Sequence, residues 1–95
     1  SYEGRAGGMG VLRVQVGSFA DPANAQVLVE RLKDAYPGSK IVGIDLPDGR
    51  RYRVYAGQFR TEAAAEQAAA HLRRALETDP FIVRDDAVGG TTGNP

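Results

Sequence analysis

The feature that most constrains this chain is that it matches itself when shifted by forty residues. VLRVQVGSFADPANAQVLVERL, residues 11–32, lies on RYRVYAGQFRTEAAAEQAAAHL, residues 51–72. The identical pairs are Arg13/Arg53, Val14/Val54, Gly17/Gly57, Phe19/Phe59, Ala23/Ala63, Ala25/Ala65 and Leu32/Leu72. Two copies are too few for a solenoid, which needs about three repeats to bury its faces. They suit a pseudo-twofold domain whose halves share one core.

Each copy opens with an alternating strand. Leu12, Val14 and Val16 oppose Val11, Arg13 and Gln15; Tyr52, Val54 and Ala56 oppose Arg51, Arg53 and Tyr55. Gly17 and Gly57 are expected to break the strands, in backbone conformations awkward for other residues. Phe19 and Phe59 then plug the end of the core. A helix follows in each copy. Asp21 is an N-cap with Pro22 at the first helical position, and Thr61 caps the second helix ahead of Glu62. Ala25, Leu28, Val29 and Leu32 form one apolar stripe; Ala65, Ala68, Ala69, Leu72 and Leu76 form the other. Tyr36-Pro37-Gly38 stops the first helix and Asp79-Pro80 separates the second from the last strand. Lys40–Leu46 and Phe81–Arg84 close the two copies, with Pro47-Asp48-Gly49 as a tight turn between strands two and three.

The order is β-α-β-β-α-β, an α+β split-βαβ arrangement of the ferredoxin and RNP type. It predicts a four-stranded antiparallel sheet with both helices on one face and the first strands of the two copies as central neighbours. Residues 1–10 hold four glycines and 87–95 hold three, more than half of the twelve. These segments are expected to be flexible linkers around a folded unit of 11–86. No signal peptide is evident, which suits an excised part of a longer chain.

Composition excludes several classes. Twelve Lys and Arg balance twelve Asp and Glu, unlike the basic excess of general nucleic-acid binders. There is no cysteine and one histidine, so neither a disulfide framework nor a thiolate or two-histidine metal site can form. No cofactor is implied. No apolar run reaches the roughly 18 residues of a membrane helix.

The sheet face opposite the helices would carry Val11, Arg13, Gln15, Arg51, Arg53 and Tyr55. Guanidinium forks, an amide and an amphipathic ring suit a polar, extended ligand such as a glycan. A solvated face that does nothing fits the same pattern. His71 lies off the apolar stripe and reads as a solvent-facing helix residue. Asp45 and Asp48 could form a carboxylate pair for glycoside cleavage, but they flank a turn, and turn chemistry explains them better. Arg50-Arg51-Arg53 is a short basic cluster that either meets an anion or keeps an exposed strand soluble. Asp85-Asp86 reads as solvated charge closing the domain. No phosphate loop or nucleophile elbow is present, so no enzyme activity is expected.

At Val14-Gln15-Val16-Gly17-Ser18-Phe19, and again at Tyr52-Arg53-Val54-Tyr55-Ala56-Gly57-Gln58-Phe59, the chain resembles the SPOR (sporulation-related repeat) domain. The resemblance spans about 11–86. It implies a non-catalytic module of the bacterial envelope, in the periplasm at the division septum. Such a module binds peptidoglycan glycan strands stripped of stem peptides and forms part of division proteins, amidases or rare lipoprotein A-type lytic transglycosylases. By position, Gln15 and Ser18 match the polar binding residues of the first motif and Arg53 the arginine of the second. Arg51 stands where some members have an aromatic, a role Tyr55 takes over on the same face. Ile82 is assigned the apolar contact of the last strand. Gln58 replaces a common proline and loosens that turn. The expected partner is therefore a glycan, bound by a monomer with neither nucleic acid nor membrane insertion involved. The alternatives are an RNA-binding module of the same topology, which RRYRVYAG disfavours by lacking paired stacking aromatics, and an amino-acid-sensing regulatory domain.

Overall fold

The computed structural model describes residues 11–85. The segments expected to be flexible, 1–10 and 87–95, lie outside the described residues. Six elements follow one another: β1 (Val11–Phe19), α1 (Pro22–Leu32), β2 (Lys40–Leu46), β3 (Gly49–Phe59), α2 (Glu62–Leu76) and β4 (Phe81–Asp85). The strands lie in the order β2-β3-β1-β4, every pair antiparallel, with the first strands of the two copies at the centre as predicted.

Local chemistry fixes the helix starts. The Asp21 carboxylate accepts from the Ala23 N–H at 2.9 Å, with Pro22 in the first turn. Thr61 Oγ1 accepts from the Ala64 N–H at 3.1 Å. α2 ends where Glu77 turns into the left-handed region at φ 53°. The core lies between sheet and helices. Leu12, Val14 and Val16 of β1 and Val54 and Ala56 of β3 meet Ala25, Val29 and Leu32 of α1. From α2 come Ala65, Ala68, Ala69 and Leu72. A face made mostly of alanine lets α2 lie close to the strands.

The two repeat glycines do not end their strands, contrary to expectation; each belongs to a bulge within one. β1 carries an extra residue between Gln15 and Gly17, and β3 carries one between Ala56 and Phe59. The β1 bulge reverses the side-chain phase. Gln15 pairs with Tyr55, yet Ser18 pairs with Arg53 and Phe19 with Tyr52. Ser18 therefore shares a face with Gln15, while Phe19 turns to the core. Phe59 packs on the core in the same way.

The two glycines have different reasons to be there. Gly57 sits at φ +67°, in the left-handed region, and a Cβ on it would lie 2.7 Å from Phe59 Cζ. Gly17 has no positive φ; a Cβ there would crowd the Phe19 ring, at 2.8 Å, and touch Leu28 Cδ2 at an ordinary 3.5 Å. Gly57→Ala is thus expected to destabilise the domain by about 2 kcal/mol, through backbone strain plus the ring clash. Gly17→Ala should cost about 1 kcal/mol or less, because a ring can shift. Urea midpoints of the two variants at unchanged m-value measure the difference.

Candidate functional site

The open sheet face is built by alternation in four strands. From β1 come Val11, Arg13, Gln15 and, past the bulge, Ser18. From β3 come Arg51, Arg53 and Tyr55. Their partners on β2 are Ile44, Val42 and Lys40, and those of β1 on β4 are Phe81, Val83 and Asp85. One row crosses the whole sheet, Phe81 beside Gln15, Gln15 beside Tyr55, Tyr55 beside Lys40. Gln15 thus lies between two aromatic residues, and Phe81 is 54% exposed.

This row crosses a shallow groove of about 580 Å³. Gln15, Arg53 and Tyr55 line it, together with Lys40, Val42, Phe81 and Val83, none of them singled out from sequence. Ser18 is exposed on the same face beside Arg53, outside the groove lining. Arg51 lies further toward the β2–β3 turn, with Nη2 3.3 Å from Asp48 Oδ2. The assignment of Ile82 needs correction. It pairs with Val14, so it points to the helices and packs on the core; Phe81 and Val83 hold the open-face positions of β4. Three apolar residues in a row at Phe81-Ile82-Val83 gave no alternation from which to choose the face.

Arg13 was expected among the exposed donors and is instead buried. Its Nε donates to Asp85 Oδ2 at 2.5 Å, and its Nη1 donates to the carbonyls of Gly38 and Gly57 at 2.9 and 3.0 Å. The Gly57 N–H donates in turn to Ser39 Oγ at 3.1 Å, so both peptide groups of the β3 bulge have side-chain partners. Asp85, expected to be solvated, has a side chain only 16% exposed, held between Arg13 and Lys40 Nζ at 3.3 Å.

Arg53 occupies the repeat position of Arg13, yet its side chain makes no ion pair or hydrogen bond among the described residues. The reason is register. Residues forty apart would pair alike if the copies were equal, and Asp45 is the counterpart of Asp85. β4 pairs Arg13 with Val83, whereas β2 pairs Arg53 with Val42 and not with Gly43. That single-residue shift turns Asp45 to the other face. There Asp45 pairs with Arg50 at 2.6 Å, and Arg50 lies over the Tyr52 ring at 5.6 Å. The hydrogen bond and opposite charge of Asp45 raise the Arg50 pKa further above its ordinary value. The basic cluster is thus divided: Arg50 on one face, Arg51 tied to Asp48, Arg53 alone in the groove. Asp45 and Asp48 each hold an arginine, which agrees with a turn role.

A chain of zero net charge therefore presents a groove with a cationic surplus: Arg13, Lys40, Arg53 and Arg84 line it with the single carboxylate of Asp85. Two rings, an amide and an uncommitted guanidinium can stack on sugar or base faces and meet hydroxyls and anions. His71 is exposed on α2, its ring 6.4 Å from that of Tyr36. Among the described residues, no three His, Asp or Glu side chains cluster as metal ligands. No described helix is long and apolar enough to cross a membrane.

The family model described as SPOR domain matches residues 8–84. The crystal structure of the RlpA SPOR domain from Pseudomonas aeruginosa is similar at a TM-score of 0.68 and 26% identity, covering 77% of this chain and 97% of that one. The solution structure of the peptidoglycan binding domain of the B. subtilis cell wall lytic enzyme CwlC is similar at a TM-score of 0.56 and 29% identity. It covers 80% of this chain and 90% of that one. No curated protein matches the sequence.

Proposed function

Because the chain belongs to the SPOR domain family, we propose that it is a non-catalytic peptidoglycan-binding module of the bacterial envelope. Its open sheet face takes glycan strands denuded of stem peptides and so directs a parent protein to the division septum. The observation that carries this reading is the groove, in which Tyr55 and Phe81 flank Gln15 and the Arg53 side chain has no partner among the described residues. Rings stack on pyranose faces, and the amide exchanges hydrogen bonds with hydroxyls and acetamido groups. A muramic acid residue without its peptide carries a free lactyl carboxylate, for which Arg53 is the matching fork. The similarity to a peptidoglycan binding domain of a cell wall lytic enzyme supports the same ligand.

The test is retention of the pure domain on sacculi before and after an amidase removes the stem peptides. Retention should rise after amidase treatment, with no soluble muropeptide released by the domain itself. Equal retention on both preparations would remove the preference for denuded strands, and release of fragments would remove the non-catalytic reading. An RNA strand could use the same rings, but it would need more phosphate neutralisation than this balanced chain supplies. Glycan binding should weaken only mildly with salt, whereas a steep decline with RNA as ligand would favour the nucleic-acid alternative.

A further inference from the structure

Lys40 stands at the end of the row Phe81–Gln15–Tyr55–Lys40, on the outer strand β2. Its Nζ lies 3.3 Å from Asp85 Oδ2, although Asp85 belongs to β4, the opposite edge of the sheet. The pair therefore spans the groove at one end. Two features make it an exchangeable contact. The Lys40 side chain is 41% exposed, so its attraction to Asp85 is weakened by water. Asp85 keeps the Arg13 guanidinium when Lys40 leaves, so its charge is not stranded. Lys40 also has a second place to go. Arg53 pairs with Val42 and Tyr55 with Lys40, which makes Arg53 and Lys40 diagonal neighbours on one face, about 7–8 Å apart at the backbone. Long side chains at that separation can close on one small anion.

Building on the glycan reading, we infer that Lys40 is a specificity-determining residue that leaves Asp85 to share the ligand's lactyl carboxylate with Arg53. A muramic acid whose carboxyl is tied up in an amide offers no anion, so Lys40 stays on Asp85 and the end of the groove stays closed. A free carboxylate draws Lys40 across. The discrimination between denuded and peptide-bearing strands then rests on an exchange of ion-pair partners, in addition to the room a peptide would need.

The experiment compares denuded glycan carrying free lactyl carboxylates with the same glycan after conversion of those groups to methylamides. Binding of each is titrated calorimetrically to the parent domain, Lys40→Gln and Lys40→Arg. The parent should favour the free acid. Lys40→Gln should lose about three- to fivefold in affinity for the acid and nothing for the methylamide, and Lys40→Arg should keep the parent's preference. Melting temperatures of the variants within a degree or two of the parent establish that the fold is intact. Unchanged affinity of Lys40→Gln for the acid overturns the inference, as does equal weakening toward both glycans. If the parent binds neither glycan, the glycan reading itself falls, which a Lys40-specific failure would not cause.

Discussion

Arg13→Met is expected to destabilise the domain by about 3–5 kcal/mol, the largest effect of any single polar substitution here. The Arg13 side chain is only 10% exposed, and its guanidinium ties four segments together: β1, the Gly57 bulge of β3, the turn at Gly38 and the last residue of β4. Methionine keeps most of the packing volume and removes every donor. Two carbonyls then lose their partner in a place water reaches poorly, and Asp85 loses its guanidinium. Small domains have about 5–10 kcal/mol in total, so a large part of the population should unfold at growth temperature. Urea denaturation gives the size of the loss. Exchanging Asp85 for leucine in the Arg13→Met background should recover part of it, because the largely buried carboxylate that lost its guanidinium goes too. An unfolding free energy within about 0.5 kcal/mol of the parent would mean that the clamp contributes nothing.

Arg53→Ala should have the opposite profile. The Arg53 side chain has no partner to abandon among the described residues, so stability should stay within about 0.5 kcal/mol. A charge-assisted bond to a carboxylate contributes roughly 1.5–3 kcal/mol, so affinity for denuded glycan should fall about ten- to a hundredfold. Gln15→Ala should cost less, about 1 kcal/mol of binding, since its bonds are neutral. Affinity and melting temperature measured on the same samples separate the two arginines, which the repeat makes equivalent. Parent-like binding by both Arg53→Ala and Gln15→Ala would exclude the open face as the site.

That pair of arginines also marks how far the sequence could be read. The element order, the helix caps and the central position of β1 and β3 were legible because repeated residues fall where a shared core needs them. Alternation placed Gln15, Arg53 and Tyr55 on one face for the same reason. What separates Arg13 from Arg53 is a single-residue difference in how β2 and β4 pair, fixed by the β2–β3 turn and invisible to a self-comparison that aligns Asp45 with Asp85. The bulges were hidden as well: an inserted residue leaves each strand's composition unchanged while reversing which face Ser18 joins. On β2 apolar and polar residues mix on both faces, and β4 opens with three apolar residues in a row, so periodicity could not assign Val42, Phe81 or Val83. Lys40 is legible only once Asp85 is seen across the groove.

The pairing of Val11 with Asp85 has a mechanical consequence. The first and last described residues leave the sheet side by side at one pole, joined by an antiparallel pair whose hydrogen bonds run across the strands. Tension pulling the flanking chain apart loads those bonds one at a time, like a zip, and meets the Arg13–Asp85 contact first. Once that contact yields, β4 peels toward Phe81, and the groove loses one bank together with its second ring. A ligand held in the groove and a pull on the flanking chain would then act against each other in the same strand.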